Sequence, residues 1–203
     1  MLLYFGKLLR LMSEIKLILG SKSPRRQSLI KELGFEVEIR QKEVEEIYPE
    51  TLDSKMVPEY LSRLKAEPLI DSIKDNEVLV TSDTIVLLDD EVIGKPKSEK
   101  DAKEMIGRLS GRSHEVITGV CLTSIDKQIT FSSTTHVEFD DLSQGEIDSY
   151  VDKFQPMDKA GSYAIQEWIG YIGVKGIRGC YYNVMGLPLN ALYQSLKENF
   201  IEK

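Results

Sequence analysis

Residues 21–26 (Ser-Lys-Ser-Pro-Arg-Arg) constrain the start of the fold more than any other stretch of this sequence. The apolar run at 15–20 before them is typical of a strand, and the amphipathic stretch at 27–33 after them is typical of a helix. Ser23 is a suitable N-cap for that helix, and Pro24 fits its first position. The pattern therefore predicts a strand, a tight turn and a helix N-terminus.

The same turn carries groups that suit an anion. A helix N-terminus presents unpaired backbone N–H groups and the positive end of the helix dipole. Arg25 and Arg26 add guanidinium groups, which bind phosphate oxygens in a bidentate manner, and Ser21 adds a hydroxyl. The turn is therefore either a phosphate-binding site or an ordinary helix cap with two solvated arginines, and these residues alone do not decide between the two.

The overall charge limits the class of ligand. The chain has 203 residues, a formal net charge of −7 and 41% hydrophobic residues. This composition is ordinary for a soluble globular protein, whereas a general nucleic-acid-binding protein needs a basic face to neutralise phosphates. We therefore expect no nucleic-acid partner, while a small phosphate ligand in a local basic pocket is compatible with the charge.

Two further features indicate the cellular compartment of the protein. Cys121 and Cys180 are far apart and lack metal-ligand spacing, which favours a reducing cytosol over a disulfide scaffold. Residues 1–11 are apolar but too short to span a membrane, and they lack the layout of a signal peptide. We therefore expect a cytoplasmic protein without membrane partners. We expect residues 1–13 to be a loose N-terminal extension, with Met12 as an alternative start, and a helix that packs on the surface is the other interpretation.

Strands and helices alternate early in the chain, and longer strands pair later. Strands are expected at 35–40, at 78–80 with a continuation at 85–88, and at 91–93, 114–124, 127–139 and 171–177. Helices are expected at 54–67, 98–109, 143–154 and 187–200, and a loop at 181–186. Ser143 and Glu146 form a capping-box signature. This order predicts a mixed α/β fold, with one twisted sheet shared by two lobes of a single domain over residues 14–203.

Three carboxylates are candidates for a metal site or a general base. Asp83 follows the apolar run 78–80, at the predicted end of a strand, where α/β proteins place their ligands; a turn or cap aspartate is the alternative. Glu45 and Glu46 belong to an acidic stretch of the kind that is usually a solvated loop. If the fold brings them close to Asp83, the three side chains supply hard oxygen ligands for Mg²⁺ or Mn²⁺.

Cationic residues complete a set suited to a polyphosphate. Lys65 taken singly is a solvated helix lysine, whereas Lys95 lies in a constrained turn between a glycine and a proline. Lys159 lies in a loop of charged and small residues, and Gln166 ends a short extended stretch, from which it could bind the edge of a base. With the arginines of the opening turn, these groups favour metal-assisted chemistry on a polyphosphate.

Several other chemistries lack their sequence signatures. The chain has no Walker A loop and no GxGxxG motif, so P-loop or Rossmann binding is not supported. It has no GxSxG elbow, so a serine hydrolase is not supported either. His114 has no second histidine nearby in the sequence, and we expect a histidine with satisfied hydrogen bonds at the start of a strand rather than a zinc ligand.

The order and spacing of these motifs resemble the Maf family of nucleoside triphosphate pyrophosphatases over residues 15–190. The matching segments are SKSPRR at 21–26, EVEE at 43–46, KA at 65–66, SDT at 82–84, GKP at 94–96, LSGRSH at 109–114, DKAGSYAIQ at 158–166 and YNVMGLP at 182–188. Each motif is weak alone, and their order along nearly the whole chain makes the match strong. The resemblance implies an inosine-triphosphatase-like fold and hydrolysis of a nucleoside triphosphate between its α and β phosphates.

The resemblance also implies a role for each candidate residue. Asp83 matches the proton acceptor, and Lys65 and Lys95 would neutralise the triphosphate as further catalytic residues. Glu45 or Glu46, with Asp83, would hold a divalent cation, Mg²⁺ or Mn²⁺. The residues implied in substrate binding are Ser21, Arg25, Arg26, Thr84, Lys159 and Gln166. A homodimer is an expectation on the same basis.

The substrate branch follows from three positions. Members that resemble dTTP/UTP pyrophosphatases carry two arginines after the proline, a threonine after the catalytic aspartate, and an Asp-Lys-Ala-Gly stretch leading to Ile-Gln. This chain matches with Arg25, Thr84 and Gln166 as the specificity positions. The resemblance therefore implies dTTP and UTP, or modified pyrimidine nucleotides, as substrates.

One departure and two alternatives accompany this assignment. Glu167 and Trp168 follow Gln166 where glycine is more usual, and they could alter the base pocket. The first alternative is a pyrophosphatase for 7-methyl-GTP or non-canonical purine triphosphates. The second is a nucleotide-binding regulator of septum formation, although such a protein does not need the general base that Asp83 would provide.

Overall fold

A single mixed sheet of seven strands organises the computed structural model, which describes residues 15–201. The strands are β1 (Lys16–Leu19), β2 (Glu36–Ile39), β3 (Glu77–Leu88), β4 (Glu91–Ile93), β5 (Ser113–Thr123), β6 (Gln128–Phe139) and β7 (Val174–Arg178). Their order is β2-β1-β3-β5-β6-β7, and β4 also pairs with β3. β1 is parallel to β2 and β3, and the other pairs are antiparallel. The predicted mixed α/β class is confirmed.

Helices connect the strands and cover the sheet. The α-helices are α1 (Pro24–Lys31), α2 (Val57–Ala66), α3 (Glu99–Leu109), α4 (Gln144–Phe154), α5 (Trp168–Gly173), α6 (Tyr181–Val184) and α7 (Leu189–Leu196). Short 3₁₀ segments lie at Ser54–Met56, Glu67–Ser72 and Ala160–Ser162, and a π-helical turn at Lys197–Ile201 extends α7. Over the described residues, no helix combines the length and the hydrophobicity needed to cross a bilayer.

Three helices begin where their local sequence signals place them. The Ser23 hydroxyl caps α1, and Pro24 is the first helical residue. The Ser98 hydroxyl caps α3, and Ser143 forms a complete capping box with Glu146 at the start of α4. Each cap satisfies a backbone N–H that the first helical turn leaves unpaired. These sequence predictions are confirmed.

Strand β3 is shared by the two lobes of the fold. On one face of the sheet, Val78 and Val80 pack in a core with α1 and α7, and Val86 and Leu88 pack further along in a second core with α3 and α4. On the opposite face, Leu87 packs beneath α2. Because one strand supplies side chains to both cores, the two lobes meet at its middle.

Helix α2 lies very close to β5 at Gly119. A Cβ atom at this position would lie 2.2 Å from the carbonyl carbon of Pro58 and 2.4 Å from the amide nitrogen of Glu59. Backbone atoms cannot move aside as the end of a flexible side chain can, so a side chain does not fit here. This close approach holds α2, and Lys65 near its end, over the middle of the sheet.

The middle of β3 has an open edge. β1 pairs with residues 77–80 and β4 with residues 86–88, whereas β5 runs along the opposite edge from 79 to 87. Among the described strands, none pairs with residues 81–85 on the edge that β1 and β4 share. The prediction that Asp83 ends a strand is therefore wrong: β3 continues through it, and the gap between β1 and β4 makes the opening there.

Two other elements differ from the prediction. Residues 171–173 end helix α5, and strand β7 begins only at Val174. Short apolar runs do not distinguish strand from helix by periodicity, which explains the error. The predicted loop at 181–186 contains helix α6, where the buried Asn183 amide donates to the Val116 carbonyl at 2.9 Å. The N-terminal extension predicted for residues 1–13 lies outside the described residues.

Candidate active site

A cleft of about 550 Å³ opens at the gap in the edge of β3. Its walls come from the turn before α1, the loop after β2, helix α2, the turn after β4 and the loop before α5. The predicted site residues in the lining are Ser21, Arg25, Arg26, Glu46, Lys65, Asp83, Thr84, Lys95, Lys159 and Gln166. Glu45 is exposed and does not line the cleft. The fold thus gathers residues that are far apart in the sequence, and the volume suits a small-molecule ligand.

Lys65 joins two carboxylates in this cleft. Its Nζ lies 2.5 Å from Asp83 Oδ1 and 3.0 Å from Glu46 Oε1. Burial opposes ionisation of Glu46, but the nearby positive charges of Lys65, Lys95 and Arg26 leave the pKa of Glu46 below its ordinary value. Glu46 is therefore a carboxylate at neutral pH.

The Arg26 guanidinium is held by three acceptors from distant parts of the chain. Its nitrogens donate to the Gly186 carbonyl at 2.8 Å, the Ser82 carbonyl at 2.9 Å and the Thr84 hydroxyl at 2.9 Å. The Val80 carbonyl, two residues before Ser82, accepts from Gly20 on the same open edge. Arg26 therefore takes the place of the missing strand neighbour. Burial lowers its pKa, and the Asp83 charge opposes that shift.

Opposite the opening turn, a second group of charges lines the cleft. Asp158 pairs with Arg25 at 3.1 Å and with Lys159 at 2.9 Å. Lys159 Nζ also lies 3.5 Å from Glu167 Oε1, and Glu167 accepts a 2.5 Å hydrogen bond from the Tyr150 hydroxyl. Glu167 does not line the cleft itself. Glu167 therefore contacts the cleft residue Lys159 and does not enter the base pocket directly.

Lys95 differs from the other predicted cations. It is exposed in the turn after β4, and it has no ion-pair partner within residues 15–201. The Gly94 carbonyl accepts from the Gly161 amide at 3.0 Å, which joins this turn to the loop before α5. Because its ammonium forms no ion pair there, Lys95 is available for an anionic ligand.

Part of the lining is apolar and suits the ring of a base. Its residues include Val86, Val116, Tyr163, Ala164 and Met185. Gln166 lies beside them, and its Oε1 is buried without a hydrogen-bond partner in the described part of the chain. A buried acceptor without a donor costs free energy, so Gln166 Oε1 is suited to receive a donor from a ligand.

A buried pair that the sequence analysis missed supports Thr84. Thr118 Oγ1 lies 2.9 Å from Thr84 Oγ1 and donates to the Asn183 carbonyl at 3.1 Å. Both Thr118 and Asn183 are fully buried. A threonine in the middle of an otherwise apolar strand was the available signal for this pair, since a buried hydroxyl needs a partner.

The Tyr163 side chain, which lines the cleft, contacts His114. The hydroxyl of Tyr163 lies 2.7 Å from His114 Nε2, and both rings pack edge-on against Phe139. Burial lowers the pKa of His114 to about 4, so the imidazole is neutral at pH 7. The predicted position at the start of a strand is confirmed, whereas His114 Nδ1 has no partner among residues 15–201.

The carboxylates fit a divalent cation only in part. Within residues 15–201, no three His, Cys, Asp or Glu side chains lie together as a metal-binding group. Asp83 and Glu46 are brought together, and each uses only one oxygen on Lys65. Mg²⁺ commonly binds one or two carboxylates and completes its shell with phosphate oxygens and water. These two residues fit such a cation, and Glu45 stays a prediction.

Comparison with known proteins identifies the family. The family described as Maf-like protein matches residues 16–199. Two proteins called dTTP/UTP pyrophosphatase, from Phocaeicola vulgatus and Bacteroides thetaiotaomicron, are each 50% identical over 188 residues, covering 92% of this chain and 97% of theirs. The solved structure of the Staphylococcus aureus Ham1 protein aligns with 61% of this chain and 71% of its own, with a TM-score of 0.46 and 13% identity. Since the family match extends over nearly the whole sequence, this chain belongs to the Maf-like protein family.

Proposed function

We propose that this protein is a hydrolase that converts dTTP and UTP to the monophosphate and pyrophosphate. The observation that supports the proposal most directly is that Asp83 lies in one cleft with several arginine and lysine side chains. Hydrolysis of a triphosphate needs a base for water and positive charge for the phosphates, and the cleft supplies both. The substrates follow the names of the relatives that share half of its residues.

Asp83 is the proposed proton acceptor. Lys65 holds its Oδ1 at 2.5 Å, so the carboxylate has a fixed orientation and Oδ2 is left to accept a proton from water. That water then attacks the α phosphorus in line with the bond to the β phosphate, which breaks to release pyrophosphate. The Asp83 side chain is 11% exposed, so it reaches the cleft while most of its surroundings exclude bulk solvent.

The triphosphate is bound by the opening turn and by the lysines around it. Ser21 lies before the capped N-terminus of α1, whose N–H groups and dipole favour an anion. Lys95 is unpaired within residues 15–201 and contributes a full charge to the leaving pyrophosphate. Arg26 uses three of its five N–H groups on the protein, so two remain for phosphate oxygens. Arg25 and Lys159 bind phosphate once it displaces Asp158.

A divalent cation, Mg²⁺ or Mn²⁺, is part of this proposal. Glu46 would hold it through the oxygen that Lys65 does not use, and Asp83 would share Oδ2 between the cation and the attacking water. When bound, such a cation neutralises the charge that develops on the leaving pyrophosphate. The support is the donor set, because hard carboxylate oxygens are the ligands that both metals prefer.

The base is read by Gln166, with Thr84 and Arg25 nearby in the lining. Uracil and thymine present an N–H donor between two carbonyl acceptors. The Gln166 amide offers an acceptor and a donor, and its Oε1 has no partner in the described chain. A pyrimidine with an N3–H would satisfy that oxygen.

The cellular setting belongs to the same proposal. Cys121 and Cys180 are both free thiols, as expected in a reducing cytosol. With a net charge of −7, the partner is a free nucleotide rather than a nucleic acid. The proposed homodimer can be checked by sedimentation at several protein concentrations.

One assay tests the function. The protein is incubated with dTTP, UTP, CTP, 7-methyl-GTP and ITP in the presence of Mg²⁺ or Mn²⁺, and pyrophosphate, phosphate and monophosphate are quantified. We expect pyrophosphate and monophosphate from dTTP and UTP. Release of single phosphate would place the cleavage elsewhere, and preferential turnover of a purine substrate would reassign the branch. If no product is released from any triphosphate, the proposed hydrolase activity is wrong.

A further inference from the structure

A continuous chain of hydrogen bonds runs from the cleft into the sheet. Arg26 donates to Thr84 Oγ1 at 2.9 Å, Thr84 Oγ1 lies 2.9 Å from Thr118 Oγ1, and Thr118 Oγ1 lies 3.1 Å from the Asn183 carbonyl oxygen. Thr84 and Thr118 face each other in the register of β3 and β5, so the backbone sets their spacing. Thr118 and Asn183 are 0% exposed, so water does not compete for these bonds.

The groups at the two ends of this series of hydrogen bonds determine which atom donates in each bond. A guanidinium can only donate and a carbonyl oxygen can only accept. The contact between Thr118 and the Asn183 carbonyl is attractive only if Thr118 donates its single proton there. The proton between the two threonines must then come from Thr84. Thr84 therefore has no proton left for a ligand, and it presents one remaining lone pair.

We propose that Thr118, which does not line the cleft, is a positioning residue that makes Thr84 an acceptor toward the base, an inference that rests on the proposed function. Gln166 Oε1, buried and unpartnered among residues 15–201, is a second acceptor in the same cleft. Two acceptors suit the N3–H of uracil or thymine. They disfavour cytosine, whose N3 is itself an acceptor. Thr118 thus contributes to the choice of base without touching it.

The test replaces Thr118 in two ways. Thr118→Val keeps the shape and removes the hydroxyl, so the Thr84 proton becomes available to the N3 acceptor of cytosine. Thr118→Ser keeps the hydroxyl and is the conservative rescue. We expect Thr118→Val to lower the ratio of kcat/KM for UTP over CTP by about threefold to tenfold, the worth of one ordinary hydrogen bond. Thr118→Ser should keep that ratio within about twofold of the wild type.

A matched control is available on the same strand. Thr123 is 3% exposed, and its hydroxyl accepts from Gln128 outside the cleft. Thr123→Val therefore measures the general cost of removing a buried hydroxyl from β5. A ratio for Thr118→Val that stays near the wild-type value, or an equal change of the ratio in Thr123→Val, would overturn the role of Thr118.

Binding of the products separates this role from the proposed function. Dissociation constants for UMP and CMP are measured by calorimetry for the wild type and the same three variants. If the wild type releases no pyrophosphate, the proposed function fails, and the UMP-to-CMP preference still tests Thr118. A weaker preference in Thr118→Val alone supports the role. An unchanged preference, or a wild type that binds neither monophosphate, overturns it.

Discussion

The Lys65 ammonium lies 2.5 Å from Asp83 Oδ1 and thereby connects the end of helix α2 to the open middle of strand β3. The same ammonium lies 3.0 Å from Glu46 Oε1, so one cation orients both carboxylates of the cleft. Neither carboxylate needs its second oxygen for Lys65. The contact therefore fixes the proposed base while leaving it able to accept a proton.

Asp83→Asn tests the base. The amide has nearly the same size but cannot accept a proton from water, so we expect kcat to fall by at least about a hundredfold. Binding of UMP, measured by calorimetry, should change by less than about threefold, since the cations of the cleft are unaltered. Asp126→Asn, at an exposed turn between β5 and β6, is the control and should leave kcat unchanged. A kcat near the wild-type value would place the base elsewhere.

Gln166→Glu tests base recognition. A carboxylate retains acceptors but loses the amide donor and brings a negative charge beside the triphosphate. We expect kcat/KM for dTTP and UTP to fall by about tenfold, measured as pyrophosphate release, which corresponds to about 1.4 kcal/mol. Gln194→Glu makes the same change on the exposed side of α7 and should have no effect. If both variants keep the wild-type kcat/KM, Gln166 has no part in reading the base.

His114 makes the stability depend on pH. Burial lowers its pKa from 6.5 to about 4, so between these values the unfolded chain binds a proton that the folded chain does not. The stabilisation is present above pH 6.5 and is lost as the pH falls through the window toward 4. It amounts to about 3 kcal/mol over the full window.

Urea unfolding at pH 7 and near pH 4 measures this effect. The wild type should lose about 3 kcal/mol more of its free energy of unfolding than His114→Gln, because other groups titrate equally in both proteins. Equal losses in wild type and His114→Gln would show that His114 titrates alike in the folded and unfolded chain.

Two glycine-to-alanine changes should have opposite effects. Gly119→Ala places a Cβ 2.2 Å from the Pro58 carbonyl carbon, which forces α2 away from β5 and should cost about 3 kcal/mol. Gly107→Ala lies in open space within α3 and should stabilise the protein by about 0.5 to 1 kcal/mol, since alanine favours the helix. The free energy of unfolding in urea compares them. If Gly119→Ala leaves the free energy of unfolding unchanged, α2 does not pack this closely against β5.

The features predicted best were those that depend on neighbours along the chain. The caps at Ser23, Ser98 and Ser143 are correct because each joins a side chain to a backbone N–H three residues away. The buried strand β3 is correct because its runs of apolar residues are visible locally. The helix α6 was missed because the buried contacts of Asn183, with residues of β5 and β6, decide it.

The site itself was predicted as a set of residues but not as a geometry. Asp83 was expected at a strand end, and it lies instead in the middle of β3, beside a gap between two other strands. The choice between Glu45 and Glu46 could not be made from the sequence, because it depends on which side chain the loop turns toward the cleft. The contacts of Arg26 were likewise not foreseen, since its acceptors lie more than 50 residues away.

By itself, the sequence determined which groups are present, the class of fold, the helix starts and the family resemblance, because these depend on residue type, periodicity and contacts between near neighbours. Only the tertiary structure decided that Lys65 bridges Asp83 and Glu46 and that Thr118 lies beside Thr84 on the neighbouring strand. It also decided that Glu167 contacts Lys159. These contacts depend on the order of the strands and their register, which bring residues together across distances that no local pattern specifies.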